Sequence, residues 1–404
     1  MADAWIFTSR ANTLLDSLAA ASVLRSKFDK IHFGYQHDAG WERAHWEEFK
    51  GGFDTIHSFP RLPGCRSLRG VPKYYRGLKG VRKSVRNLGI KRDDFILCLT
   101  VLTPLGQSLV SEYRNNFKLI CSTEKKIADQ RGAVDWKDYR HTTGGWHCHH
   151  LIEPLLGMER IYNLKHRRPQ GADGERLRRY KAELQDIYQA GLVYQTSPKS
   201  GDDGDGFFSF APYPNISSFT SGEDKSAGLK RVLFFGTPYK LLKNLAPDEY
   251  VRLLNECFDF LRIHYPSSDY RLIYRPHPFE TDEQDALNLD RFETENDKEA
   301  AELYMLRHRR EIGAVYTVSS TVSRTAMNYG FDSYALWPVF PFADRTREFF
   351  SSIMGQVPDE FSITDLAQGP RSYNSPAQAA ERFAGYRAAL LKSVSAYVEF
   401  LKQR

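Results

Sequence analysis

Three short segments in the second half of the chain carry side chains able to handle an anion. In "RLIYRPHPFE", residues 271–280, an apolar run stops at Arg275, and His277 stands between Pro276 and Pro278. Two prolines suit neither a continued strand nor a helix, so they end the strand and leave the imidazole on a stiff turn. Histidine donates a proton near neutral pH, and Arg275 has the fork geometry to grip a phosphate or a carboxylate through paired hydrogen bonds. In "VYTVSSTVSRTAMNYG", Ser319, Ser320 and Thr321 fall where an apolar run gives way to a helical pattern. Free amides and the positive end of the helix dipole make such a boundary an anion site, and hydroxyls add donors. In "FFGTPYK", Gly236 and Thr237 close another apolar run. Each has a structural alternative: a plain turn for His277, a salt bridge for Arg275, an N-cap for the Ser/Thr run.

The elements that must position these residues are legible as a rhythm. Short apolar runs "AWIFTS", "KIHFGYQ", "FDTIHSF", "DFILCLT" and "FKLICST" alternate with helical spacing in "ANTLLDSLAAASVLRSKF" and "LGQSLVSEYRNN". An irregular middle, residues 124–229, ends in the linker-like "SFTSGEDKSAG". Alternation resumes with the strands "KRVLFFG", "YRLIYRPHP", "AVYTVSS" and "FDSYALWPV", and with helices through "APDEYVRLLNECFDFLRIHY", "DKEAAELYMLRHRREIG" and "TVSRTAMNYG". Strand-helix alternation predicts parallel sheets covered on both faces. The expected fold is α/β, with two Rossmann-like domains facing across a cleft. Residues 1–229 form an acceptor domain with the irregular insertion and linker, and residues 230–375 form a nucleotide-donor domain. Residues 376–404 form a helix packing back on the first domain. Ligands of open parallel sheets collect at the carboxyl ends of strands, and all three anion-handling segments stand at such ends.

The chain has 404 residues, enough for two ordinary domains, with 41% hydrophobic and 26% charged residues. No apolar stretch reaches the roughly 18 residues of a membrane span. The opening "MADAWIFTSRANTLLDSLAAA" has neither a basic region ahead of an apolar core nor a small-residue cleavage site. Five scattered cysteines give no disulfide framework. A cytoplasmic protein is expected, with a peripheral position at the inner face of the membrane left open through residues 61–92. The net charge of +6 is unevenly placed: residues 61–92 hold eleven Lys and Arg and no Asp or Glu. Such a block is either a solvated face or a surface for an anionic membrane, a phosphorylated glycolipid or nucleic acid. It lacks a recognisable nucleic-acid-binding pattern. The His-rich "GGWHCHH" has neither C-x-x-C nor H-E-x-x-H spacing, and "DDGDG" lacks the distal Glu of a calcium loop, so no metal is expected.

"YRPHP", followed about forty residues later by "TVSSTVSRTAMNYG", resembles the His-Pro and Ser-Ser/Thr motifs of bacterial GT-B glycosyltransferases that use CMP-activated sugars. These are the sialyltransferases, polysialyltransferases and capsule-type Kdo transferases. The resemblance covers residues 230–340, and the first domain only by its rhythm. It implies that His277 contacts the CMP phosphate and acts as general acid, and that Ser319, Ser320 and Thr321 bind the same phosphate. Gly236, Thr237, Arg275 and Pro278 would line the donor site. The sialyltransferases also carry an acidic pair before glycine that supplies the base. Here that spelling, Asp202-Asp203-Gly204, falls in a Gly-rich loop, whereas the corresponding strand end reads "CSTEKK". A catalytic carboxylate needs a rigid seat, which favours Glu124, with Asp129 and Asp135 nearby. The implied activity is transfer of a sialic-acid-like nonulosonate or Kdo from CMP to a glycan or glycolipid acceptor, without a cofactor. Transferases of CDP-activated polyols carry a similar Arg-x-His-Pro segment and remain open, as does a non-enzymatic protein that binds nucleic acid or an anionic surface.

Overall fold

The computed structural model describes residues 2–9, 13–37, 50–62, 68–99, 103–113, 119–120, 228–237, 245–277, 280, 286–297, 299–354 and 357–402. The chain divides into two compact units, one of residues 1–209 with 385–404, the other of residues 210–384.

In the first unit, β1 (Ala4–Thr8), α1 (Leu14–Leu24), β2 (Ile31–Gln36), β3 (Thr55–Phe59), α2 (Val71–Arg86), β4 (Phe95–Cys98), α3 (Pro104–Tyr113) and β5 (Leu119–Ile120) follow one another. The strands form a five-stranded parallel sheet ordered β3-β2-β1-β4-β5. Every residue of β1, β2 and β4 is buried, as expected of parallel strands covered on both faces. One face sets Phe7, Phe59 and Cys98 against Val81 and Val85 of α2 and Leu105 and Leu109 of α3.

The second unit begins its sheet with β6 (Lys230–Phe235) and continues through α4 (Pro247–His264), β7 (Tyr270–Arg275), β8 (Phe292–Thr294), α5 (Ala301–Arg307), β9 (Ile312–Thr317), α6 (Thr321–Asn328), β10 (Ser333–Ala335) and α7 (Asp344–Met354). The last helix, α8, runs Pro376–Lys402. The sheet order is β10-β9-β6-β7-β8, again all parallel. Counted from the first strand of each unit, the two sheets have the same order, the Rossmann arrangement. The α/β fold of two Rossmann-like domains is thus what the chain adopts.

Local chemistry explains the boundaries. Helix α4 opens with Pro247, carries Asp248 and Glu249 in its first turn, and has Arg262 and His264 in its last. Its Leu254, Phe258 and Leu261 pack on Val232, Phe234 and Tyr274 of the sheet. Each such side chain contributes roughly 2 kcal/mol on burial. Helix α6 stops at Gly330, whose φ of +93° is the left-handed geometry that glycine adopts without penalty.

Some elements depart from the pattern. "FDSYALWPV" keeps only the three residues of β10 as strand, because Pro338 turns Trp337–Val339 into a 3-10 helix. The helix through "AAELYMLRHRRE" ends at Arg307. Strand β8 and helix α7 carried no clear signal. Among the described residues no helix is long and apolar enough to cross a membrane.

Candidate active site at the carboxyl edge of the second sheet

Strand β6 lies between β7 and β9, and Phe235 is in register with Arg275 on one side and Thr317 on the other. Two residues further along the same three strands come Thr237, His277 and Ser319. The three segments singled out by their residue types therefore reach one edge of one sheet at one level. The strand order reverses between β6 and β9, and a reversal of this kind opens the crevice in which ligands of such sheets bind.

At the β9 side the chain passes through Val318 and Ser319 into α6. Ser320 is the N-cap: its Oγ accepts the Val322 amide at 3.3 Å. Thr317 Oγ1 accepts the Ser320 amide at 3.2 Å, and Ser323 Oγ donates to the Ser320 carbonyl at 2.8 Å. The three hydroxyls thus divide their labour. Ser320 is committed to capping, while no hydrogen bond among the described residues engages the hydroxyls of Ser319 and Thr321. One turn into α6, Arg324 is 6% exposed, and burial pulls its pKa down to about 10, leaving it charged at neutral pH.

Just past β6, Thr237 is 7% exposed; its carbonyl accepts the Tyr250 hydroxyl at 2.9 Å. Its own Oγ1 is buried without a hydrogen-bond partner among the described residues. A buried hydroxyl left unpaired costs about 1–3 kcal/mol, a cost that a hydrogen-bonding ligand atom would remove.

The β7 side answers why the imidazole is held so firmly. The Glu280 amide donates to the His277 carbonyl at 2.8 Å, while the His277 amide donates to Glu280 Oε2 at 3.0 Å. This reciprocal pair is the logic of a capping box applied to a turn. The Tyr274 hydroxyl donates to the same Oε2 at 2.8 Å. A Cβ built on Gly236 would lie 2.5 Å from both Glu280 carboxylate oxygens, so the glycine makes room for them. Glu280 is a site residue that the motif reading passed over, although "HPFE" places it three residues after His277. Burial holds the His277 imidazole below its ordinary pKa.

Arg275 is engaged elsewhere. It is 4% exposed, its Nη2 bonds to Asp297, and its guanidinium stacks 3.6 Å from the Tyr304 ring centroid. Desolvation lowers its pKa against the opposing pull of Asp297. Of the two readings open for this residue, the structure carries the salt bridge, which ties the loop after β8 to the end of β7. A buried acid, Glu302, stands in the first turn of α5, and its pKa is raised to about 7 by desolvation.

Glu124, with Asp129 and Asp135, lies outside the described residues, as do Pro278, Asp202-Asp203-Gly204 and "GGWHCHH". Among the described residues no three His, Cys, Asp or Glu side chains gather as metal ligands do. At the matching seam of the first sheet, between β1 and β4, Ser9 Oγ lies 2.7 Å from Thr103 Oγ1, which caps α3 by accepting the Gly106 amide.

No family model and no curated protein matches the chain. Solved structures align over nearly all of it at low identity. A structure assigned as a UDP-N-acetylglucosamine 2-epimerase from Listeria monocytogenes is 12% identical, with 97% of this chain and 90% of that one covered and a TM-score of 0.45. A UDP-N-acetylglucosamine 2-epimerase from Rickettsia bellii is 10% identical, with coverages of 100% and 98% and a TM-score of 0.43. The E. coli heptosyltransferase WaaC, solved with ADP, is 15% identical, with coverages of 95% and 99% and a TM-score of 0.42. At such values the chemistry has to be read from this chain's own residues.

Proposed function

We propose that the protein is a GT-B glycosyltransferase that takes an acidic sugar from a CMP-activated donor. One observation carries the reading: Thr237, His277 and Ser319 stand at one level on three neighbouring strand ends, beside the N-terminus of α6. A hydroxyl without a partner among the described residues, an imidazole and a helix N-terminus together suit a phosphate. The choice of CMP and of an acidic sugar rests on the resemblance of "YRPHP" and "TVSSTVSRTAMNYG" to transferases of that kind.

In this reading the first-turn amides of α6, with the hydroxyls of Ser319 and Thr321, hold the donor phosphate. Ser320 keeps the helix end in shape, and Thr237 adds a donor from β6. The Glu280 carboxylate stands over Gly236 and repels a phosphate there, which favours the β9 side for the anion. The acceptor hydroxyl oxygen forms a bond to the anomeric carbon as the bond from that carbon to the phosphate oxygen breaks. The hydroxyl proton goes to a carboxylate, for which Glu124 is proposed. CMP leaves with a proton from His277, whose pKa must rise once the phosphate is bound.

The test is calorimetric titration of CMP, CDP, UMP and UDP into the wild type and His277→Ala. Preferential binding of CMP, weakened by the substitution, is expected, followed by turnover of CMP-Kdo or a CMP-nonulosonate. Turnover of a CDP-polyol instead would move the assignment to that class. Tighter binding of UDP would overturn the donor assignment, and no nucleotide binding at all would sink the transferase reading.

A further inference from the structure

The acid-free block of residues 61–92 folds for its greater part into α2, and the helix sorts its side chains sharply. Tyr74, Leu78, Val81 and Val85 are buried, with Val81 and Val85 in the core of the first sheet. Lys73, Arg76, Lys79 and Lys83 lie on the opposite side, all exposed and without an ion partner among the described residues. Arg82 and Arg86, on the flank, are neutralised by one carboxylate: Glu112 meets Arg82 Nη2 at 2.8 Å and Arg86 Nε at 2.5 Å. The stripe from Lys73 to Lys83 is about 15 Å long at the α-helical rise. The next exposed acid in sequence, Asp93, lies beyond the helix.

This pattern works against the helix that carries it. The first turn holds no acid, so Lys73 opposes the dipole there, while Lys83 in the last turn complements it. Like charges three and four residues apart repel by a few tenths of a kcal/mol per pair. Gly77 and Gly80 each cost about 1 kcal/mol relative to alanine, and a Cβ at Gly80 would meet nothing within 4 Å, so packing does not require the glycine. What the glycine leaves is a smooth spot among the four cations. A surface that lowers folding stability and is filled by one sign of charge calls for a partner of the opposite sign.

We infer that the solvent face of α2, through Lys73, Arg76, Lys79 and Lys83, seats the protein on an anionic phospholipid bilayer by charge attraction. The alternative polyanion, nucleic acid, is served less well. Helix α2 has no Asn or Gln to read base edges, and its tyrosines are buried or half-buried rather than free to stack. Three of the four cations are lysines, point charges suited to diffuse headgroup contact. Each contributes about a fivefold gain in affinity near an anionic surface, within a Debye length of about 8 Å at physiological salt.

Sedimentation with lipid vesicles tests the inference and does not depend on any nucleotide chemistry. Vesicles of phosphatidylcholine with phosphatidylglycerol should bind the protein at low salt and release it at high salt, and vesicles of phosphatidylcholine alone should not bind it. Combined Lys73→Gln, Arg76→Gln and Lys83→Gln should weaken binding on the order of 100-fold. Glu112→Gln, which frees Arg82 and Arg86, should tighten it about fivefold. This second variant keeps the test decisive if the triple variant loses helicity. Equal binding to neutral vesicles, or binding unchanged in both variants, would overturn the inference. So would tighter binding of a duplex oligonucleotide than of anionic vesicles at the same salt.

Discussion

Glu280 holds His277 from both sides of its peptide, giving its amide to the His277 carbonyl and its carboxylate to the His277 amide. The carboxylate is fixed in turn by Tyr274 and fits only because residue 236 has no side chain.

Gly236 and Glu280 should therefore be energetically coupled. Gly236→Ala must displace a carboxylate held by two donors, and a loss of about 1–3 kcal/mol is expected. In a Glu280→Ala background the same substitution should cost little. A double-mutant cycle by urea unfolding should return a coupling of about 0.5–3 kcal/mol, and additive effects would break the proposed link.

The three hydroxyls at the start of α6 can be told apart by experiment. Ser320→Ala removes the cap and should lower stability by about 1 kcal/mol. Ser319→Ala removes a hydroxyl with no partner among the described residues, so its thermal midpoint should match the wild type. Its affinity for the nucleotide should still fall by about tenfold, the loss of one charge-assisted hydrogen bond. If both variants lose only stability, the run is a cap and nothing more.

Proton linkage at His277 follows from burial. Its folded-state pKa is lowered, so folding carries no penalty from this group above its unfolded value of about 6.5. A penalty grows as the pH falls from there toward the lowered value. A bound phosphate reverses the shift, so nucleotide binding should take up a proton in the window just below pH ~6.5. Calorimetry in buffers of different ionisation enthalpy measures that uptake, and His277→Ala should abolish it.

Glu302 works in the opposite sense. Its pKa is raised to about 7, so folding is penalised as the pH rises from the unfolded value toward that point. Glu302→Gln should stabilise the protein by up to about 3 kcal/mol at pH ~8 and have little effect at pH ~4. Equal effects at both pH values would mean that the carboxyl titrates in the native state where it does in the unfolded chain.

The sequence made the strand ends visible because parallel strands buried on both faces are continuous apolar runs, and prolines, glycine and serines punctuate them. The convergence of "GTP", "RPHP" and "SST" followed from the general behaviour of open sheets. What stayed hidden was pairing across loops. Nothing in Asp297 marks it as the partner of Arg275, since 22 residues separate them and the geometry arises only when β7 and β8 align. Glu280 had a local signal in its three-residue spacing from His277, but the carboxylate needed Gly236 from another strand before its place made sense. The N-cap role of Ser320 is likewise a matter of which hydroxyl turns inward, which three adjacent Ser/Thr letters do not specify.

The parallel order of the second sheet has a consequence in time. Strand β6 pairs with β7 about forty residues on but waits about eighty for β9, as the register of Arg231 with Arg271 and with Ile312 records. Loop closure costs about 0.6 kcal/mol less for the nearer partner, which favours assembly of the His277 edge of the crevice before the Ser319 edge. A ligand spanning both edges would bind only when both pairings are complete and would act as a latch on the finished fold; a nucleotide at 100 times its Kd would deepen the native well by about 2.7 kcal/mol.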